Sequence, residues 1–112
     1  VGIQDVSPLS TLINLQQLYL SDNSIQDVSP LTTLINLQEL RLDGNPIQDV
    51  SPLSTLINLK KLDLGGEKRG FKDPRPLTTL INLEQLRLRG RGIKRENRHI
   101  LDVLKPKCKI IW

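Results

Sequence analysis

The stretch "IQDVSPLSTLINL" at residues 3–15 determines the architecture, because the chain repeats it. The same letters recur unchanged at residues 47–59, and residues 25–37 differ only by Thr32 in place of a serine. The Pro-Leu pairs are 22, 22 and 24 residues apart, beginning at Pro8, Pro30, Pro52 and Pro76. A nearly constant period of this length is typical of stacked repeat units.

Each unit contains the same pattern of leucines. Leucine fills five positions of the first unit and the same five positions of the next three, which in the first unit are Leu9, Leu12, Leu15, Leu18 and Leu20. A single unit is too small to bury so many apolar side chains by itself. Stacked units can cover one another, so we expect the core to consist of contacts between neighbouring units.

The segment "LQQLYLSDN" (15–23) predicts a short strand in each unit. Leu18 and Leu20 alternate with polar residues or Tyr19, which is the period of a strand with one buried face. Strands that recur once per coil lie in parallel, about 4.8 Å apart. The connection that returns to the next strand is expected to be right-handed.

The segment "DVSPLSTL" (5–12) predicts a short helical turn on the opposite side. Ser7 is expected to cap the first amides, and the proline after it suits the first turn because its missing N–H costs nothing there. In the fourth unit Arg75 replaces the serine and Pro74 replaces the valine. We therefore expect that turn to be less regular, with Asp73 as its cap.

Two asparagine columns accompany the leucines. Asn23 and Asn45 follow strands, where an amide side chain can satisfy backbone groups that the bend leaves unpaired. Glu67 and Arg91 take this position in the third and fourth units. The other column is present in all four units, and we expect it to form a ladder between coils: Asn14, Asn36, Asn58 and Asn82.

The pattern "LxxLxLxxNxI" at 15–25 and 37–47, with "IxDVxPLxxLxNL" in the same period, resembles the leucine-rich repeat family, specifically its short bacterial, internalin-like type. The resemblance implies a right-handed α/β solenoid, with a parallel sheet on the concave side and short helical or 3-10 turns on the convex side. It also implies protein recognition on the concave sheet.

Isoleucine stands where this family usually has threonine before "NL". The four residues form what we call the isoleucine stripe: Ile13, Ile35, Ile57 and Ile81. We expect the stripe to be half-buried packing between coils rather than a contact patch.

The segment "IKRENRHILDVLKPKCKIIW" (93–112) breaks the period. Ile100, Leu101 and Leu104 have the spacing of an amphipathic helix, Pro106 ends it, and the last four residues favour a strand. The segment resembles the helix-and-strand piece that closes bacterial repeats of this type, in which a cysteine and a large apolar residue cover the last coil. We expect one domain at 1–112, with four repeats in 1–92 and a C-terminal cap in 93–112.

No comparable cap precedes Ile3. An uncovered first coil would expose apolar side chains and the edge of a parallel sheet. We therefore expect either a C-terminal part of a longer repeat array, natural or engineered, or a chain that covers its first face in a homodimer.

Composition restricts the setting of the protein. The single cysteine, Cys108, excludes an intrachain disulfide and favours the cytoplasm over the cell surface, although the compartment stays open. No run approaches the roughly 18–20 apolar residues of a membrane span, so we expect none.

Residues 1–56 carry one basic and six acidic side chains, whereas 57–112 carry fifteen basic and six acidic. Such asymmetry concerns partners rather than fold.

Outward-facing strand residues are the predicted binding residues for a protein partner. The first two repeats differ at six positions, and five of these lie on the outer strand face or its turn. Exposed positions on a rigid scaffold are where binding usually lies. The predicted residues are Gln17, Tyr19, Ser21, Glu39, Arg41, Asp43, Lys61, Asp63, Gln85, Arg87 and Arg89.

Two alternatives remain. The basic second half could gather cations on one flank and bind a polyanion such as a nucleic acid. These cations are Arg87, Arg89, Arg91, Lys94, Arg95 and Arg98, with Lys68, Arg69, Lys72 and Arg75. Single-strand binders usually interleave aromatic residues, and only 3% of this chain is aromatic, so nucleic acid is the less favoured partner. The other alternative is a structural or engineered fragment that only self-associates.

Catalytic and cofactor motifs are not evident. "GGEKRG" (65–70) lacks the Gly-Lys-Ser/Thr of a phosphate loop, and Gly66 holds the same turn position as Gly44 and Gly90. His99 is the only histidine, and no Ser/His/Asp set or metal-ligand spacing accompanies it. We expect no enzymatic activity, no cofactor and no metal.

Overall fold

The computed structural model describes residues 2–66 and 70–112 and contains a five-stranded parallel sheet. The strands lie in chain order, each pairs in parallel with the next, and the sheet is open. They are β1 Gln17–Tyr19, β2 Glu39–Arg41, β3 Lys61–Asp63, β4 Gln85–Arg87 and β5 Lys109–Ile111.

Short helices return the chain between strands. The 3-10 helices that precede β1 to β4 are Ser7–Leu9, Ser29–Thr33, Ser51–Thr55 and Arg75–Thr79. The end segment holds one α-helical turn, α1, at Arg95–Arg98, followed by a 3-10 helix at His99–Leu104. In the described ranges, every helix is too short and too polar to cross a bilayer.

Strand pairing places equivalent residues of successive units side by side. Leu18 lies opposite Leu40, which lies opposite Leu62, and the row continues through Leu86 to Ile110. Each coil therefore adds one strand to the same parallel sheet. The predicted solenoid with one parallel sheet and short turns is confirmed.

The core consists of leucines stacked between coils. In the second unit Leu34, Leu37, Leu40 and Leu42 are completely buried, and the third and fourth units repeat this arrangement. Burying one such side chain contributes roughly 1.5–3 kcal/mol of hydrophobic free energy. Because these contacts join one coil to the next, the stability of each unit depends on its neighbours.

Aspartate, not serine, caps the 3-10 helices. The Ser7 backbone N–H donates to Asp5 Oδ1 at 2.9 Å, and Asp27 and Asp49 accept the equivalent bond. The prediction that Ser7 acts as the cap is therefore wrong. In this geometry the capping oxygen comes from two residues before the helix begins.

The fourth turn follows the same rule. The Arg75 backbone N–H donates to Asp73 Oδ1 at 3.0 Å, and the helix spans five residues, as it does in the second and third units. The expected irregularity is wrong, because a bond to a backbone N–H does not depend on which side chain that residue carries. Asp73 caps this turn, as predicted.

The asparagine column on the returning segment forms the predicted ladder. The side-chain amide of Asn36 donates to the Ile13 carbonyl at 2.9 Å, and Asn58 and Asn82 make the equivalent bonds one coil further on. These bonds join neighbouring coils at the exposed surface. The prediction of an inter-coil ladder is confirmed.

The isoleucine stripe, by contrast, is exposed. Each of its four side chains keeps between 51% and 66% of its surface in contact with solvent. The prediction of half-buried packing between coils is wrong. Leu34 and Leu37 already fill the interior on either side of Ile35, so the residue between them projects outward.

Asn45 holds the bend after β2. Its amide nitrogen donates to the carbonyls of Leu20 and Leu42, and its oxygen accepts from the Ile25 N–H at 3.1 Å. The side chain is buried, so no water replaces these partners. Asn23 makes the same kind of contacts at a partly buried position, which confirms the predicted role of this column.

Arg91 replaces asparagine in the fourth unit and is fully buried. Its Nε donates to the Leu64 carbonyl and its Nη2 to the Asn45 carbonyl, both at 2.6 Å. The guanidinium also lies 5.2 Å from the centre of the Phe71 ring. A long side chain here joins backbone from two earlier units. Glu67, which takes this position in the third unit, lies outside the described residues.

Glycine is required where the turns of neighbouring coils touch. Gly44 and Gly90 have φ angles of +75° and +87°, which L side chains rarely adopt. A Cβ at Gly90 would collide with the Gly66 carbonyl oxygen. Repeat geometry therefore accounts for the glycines that suggested a phosphate loop; residues 67–69 of that segment are outside the described ranges.

The end segment covers the fourth coil. Leu101, Leu104 and Cys108 are buried in the core, and Trp112 packs against it. The helix ends at Leu104, just before Pro106 as predicted, and β5 pairs with β4. The predicted helix-and-strand end piece is confirmed, although most of its helix is 3-10.

Replacing Asn45 tests the buried amide. We expect Asn45→Ala to lower the free energy of unfolding by roughly 2–4 kcal/mol, because buried backbone groups lose their partners. Asn23→Ala, at a partly buried position, is the matched control and should cost clearly less. Urea denaturation followed by circular dichroism measures both. Equal losses of unfolding free energy in the two variants would contradict the role assigned to burial of the Asn45 amide.

The capping aspartates predict a pH dependence of stability. The hydrogen bond from the following serine N–H lowers the pKa of Asp5, Asp27 and Asp49 below the ordinary value. A lowered folded-state pKa gives stabilisation that is complete above the unfolded pKa of about 4 and is lost as pH falls through the folded pKa. We therefore expect stability to fall in acid below about pH 4.

The variant Asp5→Asn, Asp27→Asn, Asp49→Asn isolates this contribution. Asparagine keeps a capping oxygen but does not titrate, so the variant should fold at neutral pH and lose less stability in acid than the wild type. The measurement is the urea midpoint at neutral and acidic pH. Identical acid losses in the two proteins would show that these caps do not contribute.

Candidate interaction surface

The predicted binding residues lie along one side of the sheet. Gln17, Glu39, Lys61 and Gln85 form one row across β1 to β4, and Tyr19, Arg41, Asp63 and Arg87 form the next. Ser21, Asp43 and Arg89 follow their strands two residues later. We call this surface, including its continuation onto β5, the sheet face.

β5 adds two residues to the sheet face that the sequence prediction missed. Lys109 pairs with Gln85 and Ile111 with Arg87, so both continue the two rows. Ile110, between them, continues the buried leucine row instead. The strand-favouring run at 109–112 is the signal that could have found them, because a strand beside β4 continues its rows.

Three side chains of the sheet face form a cluster on β1 and β2. The Tyr19 hydroxyl donates to Glu39 Oε2 at 2.5 Å, and Arg41 Nη2 lies 3.5 Å from Glu39 Oε1. The Arg41 guanidinium also lies 4.5 Å from the centre of the Tyr19 ring. The hydrogen bond lowers the pKa of Glu39 and raises that of Tyr19. The cluster therefore holds an aromatic ring and a cation in fixed positions.

The two remaining carboxylates of the sheet face also have partners within the protein. Ser21 Oγ donates to Asp43 Oδ1 at 2.7 Å, and the Gly65 N–H donates to Asp63 Oδ1 at 3.0 Å. Partial burial raises the pKa of Asp63, which the charges of Arg87 and Arg41 oppose. No carboxylate of the described sheet face is without a hydrogen-bond donor.

A shallow depression of about 360 Å³ lies at the centre of the sheet face. Charged and amide side chains of β2, β3 and β4 surround it, among them Arg41, Lys61, Asp63 and Arg87. Because the lining is polar and the depression is open, it suits polar side chains of a partner better than an apolar small molecule.

Not all of the basic residues of the second half are available to one surface. Arg91 is buried, and the Lys72 ammonium donates to its carbonyl at 2.7 Å. Arg98 lies over the Trp112 ring, 4.9 Å from its centre. The expectation that Arg91 contributes to a basic flank is therefore wrong. Lys68 and Arg69 lie outside the described residues.

The first coil has an open apolar side, which we call the N-terminal face. Leu12 is 46% exposed and Ile3 is 45% exposed, whereas Leu34 and Ile47, their equivalents in later units, are completely buried. Leu9, Leu15 and Leu18 are only partly buried. The difference arises because, among residues 2–66 and 70–112, no coil packs against this side.

His99, the histidine considered for catalysis, differs in its surroundings from the single cysteine. His99 is exposed, and Cys108 is buried, which raises the pKa of its thiol. Across residues 2–66 and 70–112, no three His, Cys, Asp or Glu side chains come together in a way that could hold a metal ion.

Comparison with known families identifies leucine-rich repeats in the chain. A family model of two leucine-rich repeat copies matches residues 35–70, and a single-repeat model matches residues 14–34. Together they span 57 of the 112 residues. No curated protein matches the sequence.

Three solved structures share the fold. Internalin C2 of Listeria monocytogenes is 32% identical with a TM-score of 0.73, and an internalin (inlF) of the same species is 29% identical with a TM-score of 0.66. A leucine-rich repeat protein of Leptospira interrogans is 28% identical with a TM-score of 0.86.

The alignments cover nearly all of this chain but only part of each relative. They include 99%, 98% and 99% of this chain and 46%, 38% and 29% of the respective relatives. The chain thus spans less than half the length of each of these proteins.

Proposed function

Since the chain belongs to the leucine-rich repeat family, and its structural neighbours are internalins and another bacterial leucine-rich repeat protein, we propose that it binds a protein partner through the sheet face. Proteins built from these repeats typically serve as protein-interaction scaffolds.

The main support is the alignment of the variable residues. The leucines that build each coil are repeated in every unit. Of the six positions that differ between the first two units, three fall on the outer rows of the sheet and two fall in the turn that follows the strand. A rigid sheet holds these side chains at fixed spacing, so binding costs little ordering of the backbone.

The cluster on β1 and β2 supports the same surface. Tyr19 is 52% exposed, yet its hydroxyl is held by Glu39 and its ring by Arg41. Tyrosine and arginine are the residue types most often found at energetic hot spots. Because both are already positioned, a partner that contacts them does not have to immobilise them.

Five short strands form a small surface. At about 4.8 Å per strand the sheet face is roughly 20 Å across, and each strand is only three residues long. A standard interface of about 800 Å² per partner needs a larger surface, which further repeats would supply. The greater length of the structural neighbours supports this reading. We therefore propose that the sheet face acts as part of a larger binding surface.

A pull-down with a matched control tests the proposal. The variant Tyr19→Ala, Arg41→Ala, Arg87→Ala removes three anchors of the sheet face, and partner recovery should fall by about tenfold or more. The control Gln26→Ala, Lys94→Ala, His99→Ala changes three exposed residues outside the sheet. Both variants should keep the circular dichroism of the wild type. Equal recovery of the partner with the wild type and with the sheet-face variant would show that the binding site is not on the sheet face.

A second proposal, self-association, is favoured by the open N-terminal face. In a chain of these residues, the exposed apolar side chains and the free edge of β1 should bring two copies together. Sedimentation equilibrium should show mass increasing with concentration. Ile3→Lys with Leu12→Lys should reduce it, because a lysine on the face opposes contact between copies. A wild-type chain that stays monomeric at high concentration would contradict this proposal.

A further inference from the structure

The two halves of the sheet face differ in charge. On β1 and β2, and at the outward position two residues after each of these strands, the charged side chains are Glu39, Arg41 and Asp43. On β3 to β5 there are four basic side chains and one acidic side chain, namely Lys61, Arg87, Arg89, Lys109 and Asp63. We call the four cations the basic half.

The basic half is compact. Lys61 and Lys109 lie on either side of Gln85 in the strand register, so their Cα atoms are two strand spacings apart, about 10 Å. Arg87 ends β4 and Arg89 begins the turn two residues later, a separation of roughly 6.5 Å where the chain is extended. Both side chains line one surface depression. All four side chains are exposed.

The cations of the basic half have no carboxylate partner of their own. Whereas Arg41 is paired with Glu39, none of the four comes within 4.0 Å of a carboxylate among the described residues. Asp63, opposite Arg87 in the register, accepts the Gly65 N–H and is partly buried. The carboxylates of the face therefore have partners within the protein. With the Gln85 amide in the orientation that satisfies both groups, its oxygen accepts from Arg87 Nε at 3.0 Å and Nη2 at 3.2 Å, so a neutral amide orients Arg87 without neutralising its charge.

We propose that the basic half recognises an extended acidic segment of the protein partner, with Asp or Glu at alternate positions. Alternate residues of an extended chain are also roughly 6.5 Å apart, so two carboxylates can face Arg87 and Arg89 together. Arginine binds a carboxylate through two parallel hydrogen bonds. The proposal rests on the proposed function and specifies the partner chemistry of the same surface.

A carboxylate partner fits this surface better than a nucleic acid. Binding of single strands relies on aromatic side chains that stack on bases. The aromatic side chain of the sheet face, Tyr19, lies on the opposite half, and Arg41 covers its ring. Beside Arg87 the face instead offers Ile111, a half-buried apolar side chain suited to a protein segment.

Fluorescence anisotropy with a defined probe tests the inference. The probe is a labelled peptide with glutamate at alternate positions, compared with the same peptide carrying glutamine and with a single-stranded oligothymidylate of equal charge. We expect the glutamate peptide to bind, with an affinity that weakens as salt rises, and to bind more tightly than either comparison ligand.

Two charge-reversal variants locate the contact. Arg87→Glu with Arg89→Glu should weaken binding of the glutamate peptide by about tenfold or more. Lys94→Glu with Arg95→Glu changes the net charge equally at exposed positions of the end segment, and its affinity should stay within about twofold of the wild type. Circular dichroism checks that both variants are folded.

Equal weakening in the two variants, or tighter binding of the oligothymidylate, would overturn the inference. Absence of peptide binding, together with loss of the partner in the triple-alanine variant described above, would also overturn it and leave the proposed function standing. If the partner is retained by the triple-alanine variant, the proposed function fails independently of the peptide result.

Discussion

Contact between neighbouring coils is the constraint on which the rest of the structure depends. No unit has an interior of its own, because its leucines lie on the side that meets the next unit. The parallel register follows from this, since equivalent leucines can stack only when successive strands align residue by residue. The same register then aligns the outward residues into rows, so the binding surface is a consequence of how the core is filled.

Polar side chains reinforce the stack where leucines cannot. Asn36 and its equivalents donate to carbonyls of the preceding coil, while Asn45 satisfies backbone groups at a buried bend. Arg91 extends this device, because its length lets one side chain reach carbonyls from two earlier units. Buried polar groups of this kind are costly unless every donor and acceptor is matched, which explains their regular placement.

The two ends of the sheet face differ in charge, so a partner can bind in one orientation better than in the other. Tyr19, Glu39 and Arg41 are held by contacts with one another, whereas no carboxylate of the described residues lies within 4.0 Å of a cation of the basic half. A partner would therefore meet a preorganised aromatic cluster at one end and available positive charge at the other. Electrostatic complementarity of this type contributes to orientation and association rate more than to affinity.

The sequence by itself determined the repeat, the solenoid, the asparagine ladder and the outward rows, because stacked coils require the same filling at the same position in every turn. Only the tertiary structure decided that Asp5 caps in place of Ser7, that Arg91 is buried, that Ile35 is exposed, and that Lys109 joins the sheet face. These outcomes depend on which neighbouring groups approach a side chain in space. A periodic pattern records which positions are equivalent, but it does not record those distances.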